Sequence, residues 1–228
     1  MTSGDWKYPV GFIGIGKMGF PMASRIAAHG YPLYVHDISE AARAAFCSRI
    51  PAAREAKTPA AIGRCCEVAI LMLPDSETVK QALFGEKDGL AAHLPRGAVV
   101  IDISSSDPSL MRGIGPRLKQ AGVDFIDAQV SGGLKRANDG TLAIMAGGDS
   151  AVIARVKPLL AIMGNSLIET GALGSGHAMK ALNNYVSAAG LLAACEALKA
   201  GVDFGIAPET VIAVLDASTG KKTAPKTS

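Results

Sequence analysis

Four residues near the N-terminus combine types and spacing that could support chemistry on an anionic ligand. Gly14, Gly16 and Gly19 form a G-x-G-x-x-G motif, and Asp37 follows 21 residues after the middle glycine. Such glycines permit a tight turn, a close approach of backbone to a pyrophosphate and close packing of the next helix, while the carboxylate accepts hydrogen bonds from a ribose. The alternative is a plain strand-to-helix turn with Asp37 as a helix cap. The order of all the parts favours a dinucleotide site.

Asp37 also predicts which dinucleotide the site prefers. Its carboxylate would repel a ribose 2′-phosphate, and the next residues, Ile38 and Ser39, supply no arginine to neutralise one. NAD is therefore expected over NADP. The full predicted cofactor-binding set is Gly14, Ile15, Gly16, Lys17, Met18, Gly19, Asp37, Leu73, Pro74 and Ser105. The last three lie at or just after the ends of predicted strands, and an ordinary strand-ending turn would explain them equally well.

An alternation of short apolar runs and helix-like stretches must position these residues. Strands are predicted at 10–15, 33–36, 68–73, 98–103 and 125–128, with helices at 18–29 and 108–120. Further along the chain, a strand at 141–145, a helix at 149–162 and a strand at 166–169 follow. This pattern is typical of βαβ units. The predicted fold class is α/β, with a Rossmann-type, doubly wound and mostly parallel sheet.

The pattern changes after three glycines at positions 171, 174 and 176. From there to about residue 204 the sequence consists almost entirely of helix formers. We therefore predict an NAD-binding domain over residues 1–171 and an incomplete all-α domain over 172–228, which begins with a long helix at about 177–204.

Composition and charge narrow the function classes. Hydrophobic residues make up 49% and charged residues 19%, which indicates a folded, core-rich chain. The 23 basic and 20 acidic residues leave a net charge of +3 without a basic cluster, so neither nucleic acid nor a membrane is expected as a partner. The four cysteines lack the spacing of a zinc site, so no metal is expected. Without an apolar signal core or a long apolar run, a cytoplasmic location is expected.

Four blocks of the sequence resemble the signature blocks of the β-hydroxyacid dehydrogenases. The blocks are FIGIGKMGFPMA (12–23), DISSSDP (102–108), DAQVSGG (127–133) and GSGHAMKALNN (174–184). The resemblance spans residues 9–220 and implies a Rossmann domain joined by a long helix to an all-α domain. It further implies NAD(P)-linked interconversion of a small 3-hydroxy acid and its 3-oxo acid, and a homo-oligomer that associates through the helical domain.

The resemblance assigns the substrate carboxylate to Ser131, Gly132 and Gly133. Glycines allow backbone N–H groups to reach an anion, and a serine hydroxyl adds a donor. A surface turn would also explain the glycine pair. Gln129 stands where the family usually has proline, which leaves the rigidity of the segment before Ser131 open.

In the motif G-x-G-x-x-x-K-x-x-N-N, the family's catalytic lysine falls on Lys180 and its substrate-binding asparagine on Asn184. Residues four apart share one helix face. The resemblance implies that Lys180 accepts the hydroxyl proton in oxidation and donates it in reduction, which requires burial to lower its pKa. A solvated lysine is the commoner case, but the apolar neighbours favour a buried polar site. His177, one turn earlier, is expected to start the helix and not to act in catalysis, because the family assigns it no role.

The C-terminal residues depart from the family pattern. Family members continue through further helices with a Lys-Asp motif, whereas this sequence reads GKKTAPKTS at its end. A one-base shift of the reading frame near Lys221 or Lys222 would relate that segment to the family's usual continuation. We therefore expect a truncated chain, and a catalytically silent NAD-binding module is the alternative function. The DNA sequence past that point decides the matter: without a shifted frame that encodes further helices, the expectation is wrong.

Overall fold

The computed structural model describes residues 7–217. Their contacts divide the chain into two compact units, one ending at Lys180 and the other beginning at Ala181. Each unit is described by itself. The expected change of reading frame near Lys221 lies outside the described residues.

The first unit alternates strands and helices as the sequence predicts. Strands β1–β8 are Val10–Ile13, Leu33–His36, Ala53–Glu55, Val68–Leu71, Val99–Asp102, Asp124–Ser131, Leu142–Gly147 and Gly164–Gly171. Helices α1–α7 are Gly19–Ala28, Glu40–Arg49, Pro59–Cys65, Ser76–Phe84, Pro108–Gln120, Gly133–Asp139 and Ser150–Met163. Helix α8 (Ser175–Asp203) begins in the first unit, and α9 (Pro208–Ala217) belongs to the second.

All eight strands form one sheet in the order β3-β2-β1-β4-β5-β6-β7-β8. The pairs are parallel except for β6 and β7, which are antiparallel. The predicted α/β class with a doubly wound, mostly parallel sheet is therefore confirmed. From β1 the chain first builds β2 and β3 on one side and then returns to β4 on the other side. This change of direction opens a crevice at the carboxyl ends of β1 and β4, where such sheets bind ligands.

Polar side chains begin several helices of the first unit. Ser39 accepts a hydrogen bond from the N–H of Ala42 at the start of α2, and Asp107 accepts one from Ser109 at the start of α5. Pro108 occupies the first position of α5. An N–H at this position would have no partner within the helix, so proline loses no hydrogen bond there. These caps satisfy N–H groups that a helix cannot pair internally, so the local sequence fixes where these helices begin.

Most strands differ in length from their predicted spans, and two of them show why. β1 ends at Ile13, because Gly14 has a φ of +94° and leaves the extended conformation. β6 continues to Ser131, three residues beyond the predicted end, because its last part pairs with β7 as far as Ala143. Pairing with a distant strand leaves no mark in the local sequence of β6.

The hydrophobic core occupies both faces of the sheet. On one face Phe12 and Ile70 pack with residues of α1 and α7. On the other face Ile13 and Leu71 pack with residues of α3, α4 and α5. Neighbouring residues of β1 and β4 thus belong to opposite layers, as the alternation of side chains along a strand requires. Burial on both faces explains why these strands are apolar throughout.

Up to residue 217, where the described part of the chain ends, the second unit consists of the rest of α8 together with α9. Many of its apolar side chains are exposed, among them Leu191, Leu192 and Phe204. By length and composition α8 could cross a membrane, since its most apolar stretch has a mean hydropathy of 1.3. A single helix of this kind is weak evidence, so the expected absence of a membrane partner stays a prediction.

Removal of a side chain from the core tests this packing. Ile70 is fully buried, so Ile70→Ala should lower the free energy of unfolding by about 2–5 kcal/mol, as large-to-small core substitutions do. Ile38 is 97% exposed, and Ile38→Ala should change it by less than about 0.5 kcal/mol. Urea unfolding without added ligand, followed by circular dichroism, measures both, and equal losses would contradict the assignment of Ile70 to the core.

Candidate functional site

A cavity of about 1180 Å³ lies at the carboxyl ends of β1 and β4. Nine of the ten predicted cofactor residues line it: Gly14, Gly16, Lys17, Met18, Gly19, Asp37, Leu73, Pro74 and Ser105. Ile15 is the exception. Its side chain is buried in the core, and its backbone N–H donates to Asp37. A further wall of the cavity, which the sequence did not predict, is formed by Thr78, Gln81 and Phe84 of α4.

The three motif glycines meet different constraints in this cavity. A Cβ atom on Gly14 would overlap the carbonyl oxygen of Met72, and one on Gly19 would overlap the carbonyl oxygen of Gly14. Gly16 has no atom within 4 Å of the place where its Cβ would stand. Gly14 and Gly19 are therefore required by the fold, whereas Gly16 leaves open space along the cavity wall. That space and the backbone around it fit a dinucleotide pyrophosphate.

The Asp37 carboxylate is held at the rim of the cavity by two backbone groups. The N–H of Ile15 donates to Oδ2 at 3.0 Å, and the N–H of Ser39 donates to Oδ1 at 3.0 Å. The cap of α2 is the Ser39 hydroxyl, so the interpretation of Asp37 as a helix cap is wrong. A carboxylate fixed in this way can still accept hydrogen bonds from the hydroxyls of a ribose.

Two groups that could carry positive charge near Asp37 are otherwise engaged. Arg43 donates through Nε to Glu55 at 2.8 Å and through a terminal nitrogen to the Asp37 carbonyl at 2.7 Å. His36 lines the cavity, and burial lowers the pKa of its ring, which favours the neutral form. Neither group is therefore poised to neutralise a phosphate beside Asp37.

A cluster of buried polar side chains lies behind the cavity wall. In the described part of the chain six polar or charged residues are buried, and five of them belong to this cluster: Asp102, Ser104, Asp127, Gln129 and His177. They come from the end of β5, the loop after it, β6 and the first turn of α8. We call these five residues the buried polar cluster.

His177 is the centre of the buried polar cluster. Its Nδ1 lies 3.0 Å from Oδ2 of Asp127, and its Nε2 lies 3.1 Å from the Ser104 carbonyl and 3.4 Å from Oδ2 of Asp102. Burial by itself lowers the pKa of the ring, but the two carboxylates outweigh it and raise the pKa to about 9. His177 is therefore an imidazolium at neutral pH.

Two neighbours of Nε2 act on the protonation of the ring in opposite directions. A neutral ring that donates from Nδ1 could accept a hydrogen bond from the Gln129 amide, whose nitrogen is 3.0 Å from Nε2. Oδ2 of Asp102 would then be left in the interior without a donor, which is costly for a carboxylate. A proton on Nε2 supplies the ion-pair partner that this oxygen lacks.

Gln129 is fixed by its own side chain. Its amide nitrogen donates to the Ser104 carbonyl at 2.8 Å, and the residue is 4% exposed. The Ser104 hydroxyl in turn accepts a hydrogen bond from the N–H of Leu73, at the cavity wall. The Gln129 side chain therefore ties the segment before Ser131 to the loop after β5 through a buried hydrogen bond.

The predicted substrate residues occupy three places. Ser131 ends β6, and Gly132 and Gly133 lead into α6 with φ values of +135° and +68°. Lys180 is partly buried in α8, and burial lowers the pKa of its amine. Asn184 belongs to the second unit, where its side chain is exposed. Within the described residues, no hydrogen bond joins Lys180 to the Ser131 segment, so their joint role stays a prediction.

Comparisons with known proteins decide the family. Residues 9–172 match the family described as the NAD binding domain of 6-phosphogluconate dehydrogenase. Residues 174–227 match the family described as NAD-binding of NADP-dependent 3-hydroxyisobutyrate dehydrogenase. The chain belongs to the β-hydroxyacid dehydrogenase family. The resemblance of the four sequence blocks is thereby confirmed.

Individual members show how far the likeness extends. Human mitochondrial 3-hydroxyisobutyrate dehydrogenase is 35% identical over 217 residues, which cover 94% of this chain and 63% of the human protein. The NAD-dependent L-serine dehydrogenase of Pseudomonas aeruginosa is 34% identical over 92% of this chain and 70% of its own length. The structure of the Mycobacterium tuberculosis 3-hydroxyisobutyrate dehydrogenase with L-serine has a TM-score of 0.86 at 28% identity and covers 95% of this chain and 72% of that one. This β-hydroxyacid dehydrogenase chain thus spans about two thirds of the length of these relatives.

His177 has more partners than its sequence position predicts. It lies in the first turn of α8, as predicted for a helix-start residue, but its ring also lies between two carboxylates, which no local pattern predicted. A signal was present, since Asp102 and Asp127 both lie in predicted strands of a parallel sheet, whose ends meet at one edge. Which of these strands are neighbours is decided only by the order of the sheet.

The ionisation of His177 predicts a pH dependence of stability. Its pKa in the folded chain is about 9, above the value of about 6.5 for an unfolded chain. Its contribution is therefore fully present below about pH 6.5 and is lost as the pH rises through about 9. We expect the free energy of unfolding to fall over this window by at most about 3 kcal/mol. Urea unfolding at both ends of the window measures the fall, and an equal fall in His177→Gln would refute its origin in this ring.

Proposed function

We propose that this protein is an NAD-dependent oxidoreductase that interconverts a small 3-hydroxy acid and its 3-oxo acid. The observation that carries the proposal is the position of Lys180. This amine, with its pKa lowered by burial, lies in the helix whose first turn is hydrogen-bonded to β6 of the cofactor-binding sheet. NAD, when bound, supplies the hydride acceptor, and Lys180 exchanges the proton with the substrate hydroxyl.

The substrate class follows from the compounds that name the relatives. 3-Hydroxyisobutyrate and L-serine both carry a hydroxymethyl group on the carbon next to the carboxylate. A site for such acids needs an anion-binding group at a fixed distance from the proton-transfer group. Ser131, Gly132 and Gly133 are suited to the carboxylate, because the two glycines are exposed and their backbone N–H groups are not shielded by side chains of their own.

Lys180 is suited to exchange a proton with the alcohol. In oxidation the neutral amine takes the proton from the hydroxyl oxygen as the hydride departs from the carbon that bears this hydroxyl. In reduction the ammonium donates a proton to the oxygen as the hydride returns to that carbon. Burial lowers the pKa of the amine and so increases the fraction that is neutral near pH 7. Asn184, one turn later in the helix, would orient the substrate.

NAD is proposed as the preferred cofactor. The names of the relatives include both NAD-dependent and NADP-dependent proteins, so the residues of this chain must decide. Asp37 presents a carboxylate where a 2′-phosphate would lie, and Arg43 is paired with Glu55. A carboxylate whose neighbouring guanidinium is already paired favours the free ribose hydroxyl.

A catalytically silent NAD-binding module is the second candidate. It is supported by the completeness of the cofactor cavity within the first unit, whereas Asn184 is exposed in the second. Thermal unfolding with NADH and a turnover assay on a panel of 3-hydroxy acids separate the two candidates. Stabilisation by NADH without turnover would favour the silent module.

Substitution of Lys180 tests the proposed acid/base group. Lys180→Ala should lower kcat by about 10²- to 10⁴-fold, because general acid–base catalysis contributes that much, while NADH affinity stays unchanged. Lys157→Ala, at an exposed position of α7, is the matched control and should keep full turnover. Steady-state kinetics and NADH fluorescence measure these quantities, and a fully active Lys180→Ala would exclude the mechanism.

Substitution of Asp37 tests cofactor choice. The wild type should show a higher kcat/KM with NAD than with NADP. Asp37→Ala should reduce that preference by about tenfold or more, because the variant no longer repels the 2′-phosphate of NADP and no longer accepts hydrogen bonds from the ribose of NAD. Ser39→Ala is the control, because it removes the cap of α2 and leaves the carboxylate in place. A wild type that prefers NADP would contradict the argument from Asp37.

A further inference from the structure

We propose that His177 is a positioning residue, which clamps the first turn of α8 to the ends of β5 and β6 and so sets the place of Lys180. The inference rests on the proposed function for the role of Lys180. The clamp itself is a property of the folded chain and can be measured without turnover.

The clamp acts on both the backbone and the side chain of the helix start. Oδ1 of Asp127 accepts the N–H of Gly174 at 2.7 Å, and Oδ2 accepts the N–H of His177 at 2.8 Å. The same Oδ2 lies 3.0 Å from Nδ1 of the ring. One carboxylate therefore takes three donors from the residues that begin α8.

Close packing leaves this helix start little freedom to move. A Cβ atom on Gly176 would lie 2.5 Å from the carbonyl oxygen of Met145 and 2.7 Å from Oδ2 of Asp127. A Cβ on Gly147 would lie 2.6 Å from both Asp127 Oδ1 and the Ser175 hydroxyl oxygen. The first turn of α8 thus lies directly on β6 and β7, at a spacing that only glycine allows.

Lys180 is one helical turn from the clamp. Three residues of helix rise only about 4.5 Å. Because a helix is stiff over this length, a shift of the first turn moves the backbone of Lys180 with it. Along β6, Ser131 lies four residues after Asp127, or about 13 Å at the usual rise of a strand. Asp127 thus ties the helix that carries Lys180 to the strand that ends at the proposed carboxylate site.

The clamp is also joined to the wall of the cofactor cavity. The Ser104 carbonyl oxygen accepts a hydrogen bond from the Gln129 amide and lies 3.1 Å from Nε2 of His177. The Ser104 hydroxyl accepts a hydrogen bond from the N–H of Leu73. Leu73 lines the cavity. One set of buried hydrogen bonds therefore fixes both the cofactor wall and the helix of Lys180, which a hydride transfer with proton exchange requires to be in register.

The charged groups around the ring explain why a histidine is needed. Asp102 of β5 and Asp127 of β6 face it from the sheet, and Asp107, before α5, is near enough for the imidazolium to contribute to its lowered pKa. On its own helix the next charged group is Lys180. A neutral amide in place of the ring would leave two buried carboxylates without a cation.

The test compares His177→Gln with His93→Gln, a control at an exposed histidine of a short 3₁₀ turn. Lys180 is acetylated with acetic anhydride over a range of pH, and its extent of reaction is read from peptide masses. In His177→Gln the pH midpoint of Lys180 should rise toward that of an ordinary lysine, because the loosened turn exposes the amine. NADH affinity should stay within about threefold, and kcat should fall by about 10- to 100-fold with little change in the KM for NAD.

The outcomes separate a positioning role from a structural one. A folded His177→Gln with an unchanged Lys180 midpoint and unchanged kcat overturns the proposal. If His177→Gln does not fold, Asp102→Asn decides, because it keeps the Oδ1 acceptor for the N–H of Ser104 and removes one charge from the clamp. That variant should lower the imidazole pKa, followed by NMR, and raise the Lys180 midpoint; an unchanged midpoint refutes the clamp. A wild type without turnover would defeat the proposed function alone, since the midpoint and NADH binding still test the clamp.

Discussion

Two carboxylates buried at the ends of neighbouring strands form the constraint on which the contact between the sheet and the start of α8 depends. Asp102 and Asp127 are both fully buried. The free energy needed to bury an isolated ionised carboxylate exceeds the whole free energy of unfolding of a typical domain. The ring of His177 supplies the cation, and backbone N–H groups supply the remaining donors. Because that ring and those donors begin α8, the electrostatic requirement of the sheet also dictates where the helix starts.

The cofactor cavity depends on a different constraint, which is steric. The chain leaves β1 toward β2 on one side of the sheet and leaves β4 toward β5 on the other side. The turn after β1 must nevertheless pass close to the segment after β4. Gly14 meets the carbonyl of Met72 there, and Gly19 meets the carbonyl of Gly14. Larger residues at these positions would push the turn away from the sheet. The glycines therefore shape the cavity first, and only Gly16 leaves space that a ligand could use.

These two constraints meet at Ser104. Its hydroxyl accepts a hydrogen bond from the cavity wall at Leu73, and its carbonyl is bound by the Gln129 amide beside the ring of His177. Buried hydrogen bonds of this kind favour one arrangement over its alternatives, because a buried polar group that loses its partner is costly. This arrangement gives the chain a rigid path between the cofactor wall and Lys180, the two places where the proposed reaction takes the hydride and the proton.

The sequence by itself determined the α/β class, the order of most strands and helices along the chain, and nine residues that line the cavity, because glycine turns, caps and apolar periodicity are local signals. The tertiary structure alone decided the length of β6, the wall formed by α4 and the charge of His177. The ring lies 50 residues from Asp127 and 73 from Ser104 along the chain. No local pattern records which strand ends are neighbours or which side chains they bury together, and it is this burial that sets the ionisation of His177.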